Sequence, residues 1–162
     1  MTMKASIIFI SKIISTWFGI GLLRPCPGTY GTLAALPFAF FIHHYFGAIG
    51  MIVATIFLTI IGIYASQIYA NFLQKSDPSE IVIDEVAGIF LALSILPVFD
   101  MLAYGLAFLL FRFFDIIKPW PIRLIDRKIK GGLGIMLDDL LAGFFAMMLL
   151  YIFIYFTGLS SW

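Results

Sequence analysis

The chain has 162 residues, 62% hydrophobic and 12% charged, with a formal net charge of +1 and a mean hydropathy of +1.08. That balance excludes an ordinary soluble domain and lacks the basic face that nucleic-acid binding needs. The single cysteine, Cys26, excludes an internal disulfide.

At the N-terminus, Ala5 to Leu23 is apolar but interrupted by Lys12, and no small-x-small cleavage site follows, so it does not read as a signal peptide. Helical spacing gathers Ser11, Lys12, Ser15, Thr16 and Gly19 on one side. Ile10, Ile13, Ile14, Trp17 and Phe18 cover the other. This predicts an amphipathic helix in the membrane interface, with a weak first transmembrane span as the alternative.

Next comes PCPGTYGTLAALP, residues 25–37. Gly28 and Gly31 free the backbone, and Thr29 and Thr32 supply hydroxyls. Such a turn opening a helix can present N–H groups to phosphate. Capping by Thr32 with close packing at the glycines explains it equally well.

The uncharged runs that follow predict helices over about 30–46 and 50–73, with Gly47 and Gly50 around the turn. Lys75 marks the return to a basic side. Val86 to Phe111 is long enough for one span, but Pro97 and Asp100 break its middle, in the turn-like sequence LPVFD. A hairpin of helices over about 80–97 and 99–117 places Asp84, Glu85, Arg112 and Asp115 at the headgroup level. A last helix is predicted over about 139–158, opened by Asp138 and Asp139. The fold class expected is all-α: one domain, 1–162, forming a polytopic membrane bundle of four to five transmembrane helices plus the interfacial helix.

The charge is concentrated. Ten of the chain's nineteen Asp, Glu, Lys and Arg residues lie between Phe111 and Gly143, and Lys75, Asp77, Glu80, Asp84 and Glu85 form a second block. The hairpin brings both blocks to one membrane face. Acids near helix N-termini complement the macrodipole, so capping accounts for either pair alone. Asp84, Glu85, Asp115, Asp138 and Asp139 together would repel one another unless a cation joined them. An all-oxygen set with no nearby His or Cys suits Mg²⁺ or Mn²⁺ rather than zinc.

Among the bases, Arg112 and Lys118 interleave with these acids, and cations beside a carboxylate–metal cluster fit a phosphate ester. Lys118 follows Asp115 by three positions, close to one helical turn, so the two are expected to share a phosphate–metal site. Arg123, Arg127, Lys128 and Lys130 are also explained by membrane topology and attraction to anionic lipid, and Trp120 by interfacial anchoring. Cys26 lacks the arginine spacing of a cysteine phosphatase loop, and His43 and His44 fall at the far turn. Metal-activated water is the simplest mechanism left.

Together PGTYGTLAALP, IVIDEVAGIF, FRFFDIIKPWPIRLIDR and GGLGIMLDDLLAG resemble the phosphatidylglycerophosphatase A family, from about Pro27 to Gly143. The resemblance implies Mg²⁺-dependent hydrolysis of phosphatidylglycerophosphate to phosphatidylglycerol and phosphate in the bacterial inner membrane; the basic excess over 118–130 predicts that the charged face, and so the active site, is cytoplasmic. It maps the family's acidic motifs onto Asp84, Glu85, Asp115, Asp138 and Asp139. The basic motif falls on Arg112, Lys118 and Arg123, and the Gly/Thr motif on Gly28, Thr29, Gly31 and Thr32. Asp138 or Asp139 is the expected general base, and Lys118, with Arg112 or Arg123, is expected to neutralise the phosphate. A small transporter or a lipid-binding subunit is the alternative class. The first should carry charge at the bilayer midplane and the second has no need of five clustered acids.

Overall fold

The computed structural model describes residues 3–97 and 99–157. Among these residues there are six α-helices, one short 3₁₀ turn and no strand. The helices are α1 (Met3–Ser15), α2 (Pro27–Leu73), α3 (Ile83–Leu93), α4 (Met101–Ile117), α5 (Ile122–Lys128) and α6 (Gly131–Thr157).

α2 is two helices joined at Gly47, whose φ of 61° and ψ of −158° are non-helical. Glycine alone enters that region at little cost. The first arm packs Gly31 on Val82, and the second packs Gly62 on Ile83 and Met136. The arms therefore run antiparallel, and the two predicted helices are joined by this single break rather than by a loop.

α3 is the centre of the bundle. It has 11 residues, about 16 Å of helix. Its Ile83, Val86, Ala87, Gly88, Ile89, Phe90, Ala92 and Leu93 are all buried. The α2 arms, α4 and α6 enclose it. Two close approaches set the spacing. A side chain at Gly143 would run into the Gly88 carbonyl, and one at Gly88 would lie 2.7 Å from the Asp139 carbonyl oxygen.

α3 and α4 are shorter than the predicted hairpin of 80–97 and 99–117, and the connection between them includes Val98, outside the described residues. Asp100 is the N-cap of α4 and accepts the Ala103 N–H at 2.6 Å, which supplies the partner its depth demanded. His43 lies at this same end, 4% exposed. Its Nε2 is 2.8 Å from the Leu96 carbonyl oxygen, so Nε2 carries the proton and Nδ1 accepts from the Tyr104 hydroxyl at 3.0 Å. It is a satisfied core histidine.

The last helix begins at Gly131, two turns before the predicted start at 139. Its predicted end, residue 158, lies outside the described residues. The early turns are helical because Gly132 packs against the Ile63 carbonyl and donates its N–H to Gln67 Oε1 at 2.9 Å. In α1 the serines of the polar side turn inward, while Lys12 stays exposed. Ser11 and Ser15 are buried, while Ile7, Phe9 and Ile10 are exposed. α2 and α6 are long and apolar enough to cross a membrane.

Candidate active site

Asp84, Glu85, Arg112, Asp115, Lys118, Asp138 and Asp139 converge on the end of the bundle opposite His43 and Asp100. Asp84 and Glu85 stand in the first turn of α3, whose N-cap Val82 offers no side chain for capping. Asp115 stands in the last turn of α4. Asp138 and Asp139 lie inside α6, 6% and 3% exposed, so they do not open that helix. Capping is thus no explanation for the second pair.

These residues line an open cleft of about 370 Å³. Its walls include Gly28 and Thr29 from α2, Asp77 and Ser79 from the loop before α3, Asp84, Glu85, Arg112, Asp115, Lys118, Asp138 and Asp139. One carboxylate oxygen each from Asp84, Glu85 and Asp139 lie within 4.8 Å of one another. Asp84 Oδ1, Glu85 Oε2 and Asp138 Oδ1 are buried with no hydrogen-bond partner. A buried carboxylate oxygen left unpaired is costly. Asp84 and Glu85 belong both to this unpaired set and to the converging trio with Asp139, and that all-oxygen donor set fits an Mg²⁺-like cation.

The bases are held by acids. Arg112 Nη1 lies 2.7 Å from Asp115 and 3.9 Å from Glu85. Lys118 does not extend the α4 register towards Asp115, as the spacing predicts. It is the C-cap of α4, with φ 45° and ψ 62°, and this left-handed backbone turns its side chain away from the helix. Lys118 Nζ pairs instead with Asp138 Oδ2 and with Asp126 Oδ1 at 3.3 Å. Burial alone would lower its pKa, but the hydrogen bond and charge of Asp138, with Asp139 and Asp126, hold it above the ordinary lysine value. Lys118 is therefore an ammonium throughout the physiological range.

Other expected residues lie apart. Thr32 is fully buried and its hydroxyl donates to the Gly28 carbonyl at 2.8 Å within α2. It is not a cap, and neither it nor Gly31 lines the cleft. Arg123 is exposed, donates to the Ile117 carbonyl at 3.3 Å and lines a separate groove with Trp120 and Arg127. Two acids that the sequence reading passes over, Asp77 and Asp126, stand at the site: Asp77 on the cleft wall and Asp126 on Lys118. Only their membership of the two charged blocks pointed to them. The loop carrying Asp77 is pinned through Glu80 by Arg24 at 3.1 Å and Lys75 at 3.5 Å.

Comparison with known proteins gives a consistent result. Residues 13–154 match the family model described as Phosphatidylglycerophosphatase A. A phosphatidylglycerophosphatase A of Haemophilus influenzae is 35% identical over 148 residues, 91% of each chain. One of Escherichia coli is 37% identical over 86% of this chain and 80% of its own. A Bacteroides thetaiotaomicron protein with the provisional name phosphatidylinositol-3-phosphatase is 34% identical over 88% of this chain and 92% of its own. No solved structure matches the chain.

Proposed function

This chain belongs to the phosphatidylglycerophosphatase A family, and we propose on that premise that it cleaves the phosphomonoester of phosphatidylglycerophosphate with Mg²⁺ as cofactor, releasing phosphatidylglycerol and phosphate. The observation that carries the site assignment is the meeting of Asp84, Glu85 and Asp139 in one cleft with Lys118 and Arg112.

Asp84, Glu85 and Asp139 would hold the ion, with Asp115 and Asp138 beside them. Bound there, Mg²⁺ would draw charge from the phosphoryl group and lower the pKa of a neighbouring water. The chain's own residues do the rest. Lys118 and Arg112 bind the phosphate oxygens and offset charge developing on the leaving glycerol oxygen. The first-turn amides at Gly28 and Thr29 add N–H donors at the positive end of α2. Asp138 or Asp139 accepts a proton from the attacking water. The new P–O bond forms as the ester P–O bond breaks, and the proton taken up by that carboxylate passes to the leaving glycerol oxygen, which restores the carboxylate.

In the bilayer reading, the two arms of α2, α6, and α3 with α4 give four to five spans, and α1 and α5 lie at the interface. The basic residues between Lys118 and Lys130 support a reading with the cleft on the cytoplasmic side of the bacterial inner membrane. The lipid tails then stay in the bilayer while the headgroup enters the cleft.

Phosphate release from phosphatidylglycerophosphate in detergent micelles tests this, with phosphatidylinositol 3-phosphate in parallel. The cleft chemistry reads a phosphomonoester rather than a polyol, so the second lipid measures how far headgroup shape matters. A transporter or lipid-binding subunit would release phosphate from neither, and that result would overturn the proposal.

A further inference from the structure

The carboxylate of Asp126 has no place in the mechanism above, yet it stands 3.3 Å from the Lys118 ammonium. We infer that Asp126 is a positioning residue that aims Lys118 at the phosphate. The inference rests on the phosphatase reading.

Lys118 cannot be aimed by its own helix. Its backbone leaves α4 in the left-handed region, and its four-carbon stem has many rotamers. Its Nζ is fixed by two carboxylates on two other elements, Asp138 of α6 and Asp126 of α5. An ammonium has three N–H donors. Two are engaged here, which leaves one for the cleft that Lys118 lines.

The two acids are not equivalent. Asp138 lines the cleft, has an unpartnered buried oxygen and stands beside Asp139. It is among the groups whose charge is redirected when substrate and cation enter. Asp126 is not on the cleft wall; it lines a small adjoining cavity that also touches Asp77, Lys130 and Asp138. The helix that carries Asp126 is anchored at both ends: the Lys130 ammonium, just beyond α5, donates to the Asp126 backbone carbonyl at 2.8 Å, and Ile122 of α5 is fully buried.

The test uses the full chain in detergent micelles, with kcat and KM for phosphatidylglycerophosphate and inhibition by inorganic phosphate. Asp126→Asn keeps the shape and removes the charge. Its kcat should fall roughly tenfold with KM within about twofold, since aim rather than lipid binding is lost. Inorganic phosphate should inhibit it less strongly. Asp126→Glu should recover most of the rate, and Asp126→Ser serves if the Asn variant is not recovered. In the double variant Lys118→Ala/Asp126→Asn the second change should add nothing to the first. A wild-type rate in Asp126→Asn, or losses that multiply in the double variant, would overturn the inference. Absence of phosphate release by the wild-type chain would instead overturn the phosphatase reading itself.

Discussion

Lys118 and Lys128 stand ten positions apart in one basic run, and the structure separates them completely. Lys118 is three-quarters buried between Asp126 and Asp138, while Lys128 is exposed at the end of α5. Lys118→Ala should lower turnover by roughly 100-fold, the scale of one lost preorganised donor. Lys128→Ala should change it by no more than about threefold, as for an exposed charge. Both are read as kcat on variants that insert equally well, and equal, mild effects would remove Lys118 from the phosphate site. Gly28 gives a second residue-scale test. A Cβ there would run into Glu85 Oε1 and come 3.1 Å from Arg112 Nη1, so Gly28→Ala should raise the Mg²⁺ concentration needed for half-maximal rate several-fold. The identities of the clustered acids are legible in the sequence, because five carboxylates are too costly to gather without a purpose. The pairing of Lys118 is not. It depends on a positive φ at a non-glycine residue, which no spacing rule announces.

At the scale of elements, the crossing of α3 and α6 decides whether Asp84 and Glu85 meet Asp139. Gly143 allows it by seating α6 directly on the Gly88 carbonyl. Gly143→Val should push the helices apart, lowering both the midpoint of thermal unfolding and activity. Gly105, with nothing within 4 Å of an added Cβ, is the control. Gly105→Ala should be neutral or stabilise by up to about 1 kcal/mol, the helix-propensity difference. The helices with unbroken apolar runs are legible from composition, which is why the two arms of α2 and the body of α6 fall close to their predicted ranges. The start of α6 is obscured because Gly131, Gly132 and Gly134 read as a loop. Only contacts with Gln67 and Ile63, more than 60 residues away, explain their helical state. The depth of Asp138 and Asp139 was hidden for the same reason.

For the whole molecule, the account requires that both charged blocks share one face. The structure brings Asp77, Asp84 and Glu85 of one block and Arg112, Asp115, Lys118, Asp138 and Asp139 of the other to one cleft, and the bilayer reading has that face in the cytoplasm. In a Cys26→Ser background, single cysteines near Ser79 and Gly131 should resist an impermeant thiol reagent in intact cells. Labelling of either from outside would reverse the topology while leaving the chemistry intact. The proposed chemistry depends on one point: carboxylates from α3 and α6 gather a cation without which phosphatidylglycerophosphate is not cleaved. Phosphate release from that lipid by the purified protein is to be followed in excess chelator and again after return of Mg²⁺. Release should stop and then resume; undiminished turnover in chelator would rule out the cation site.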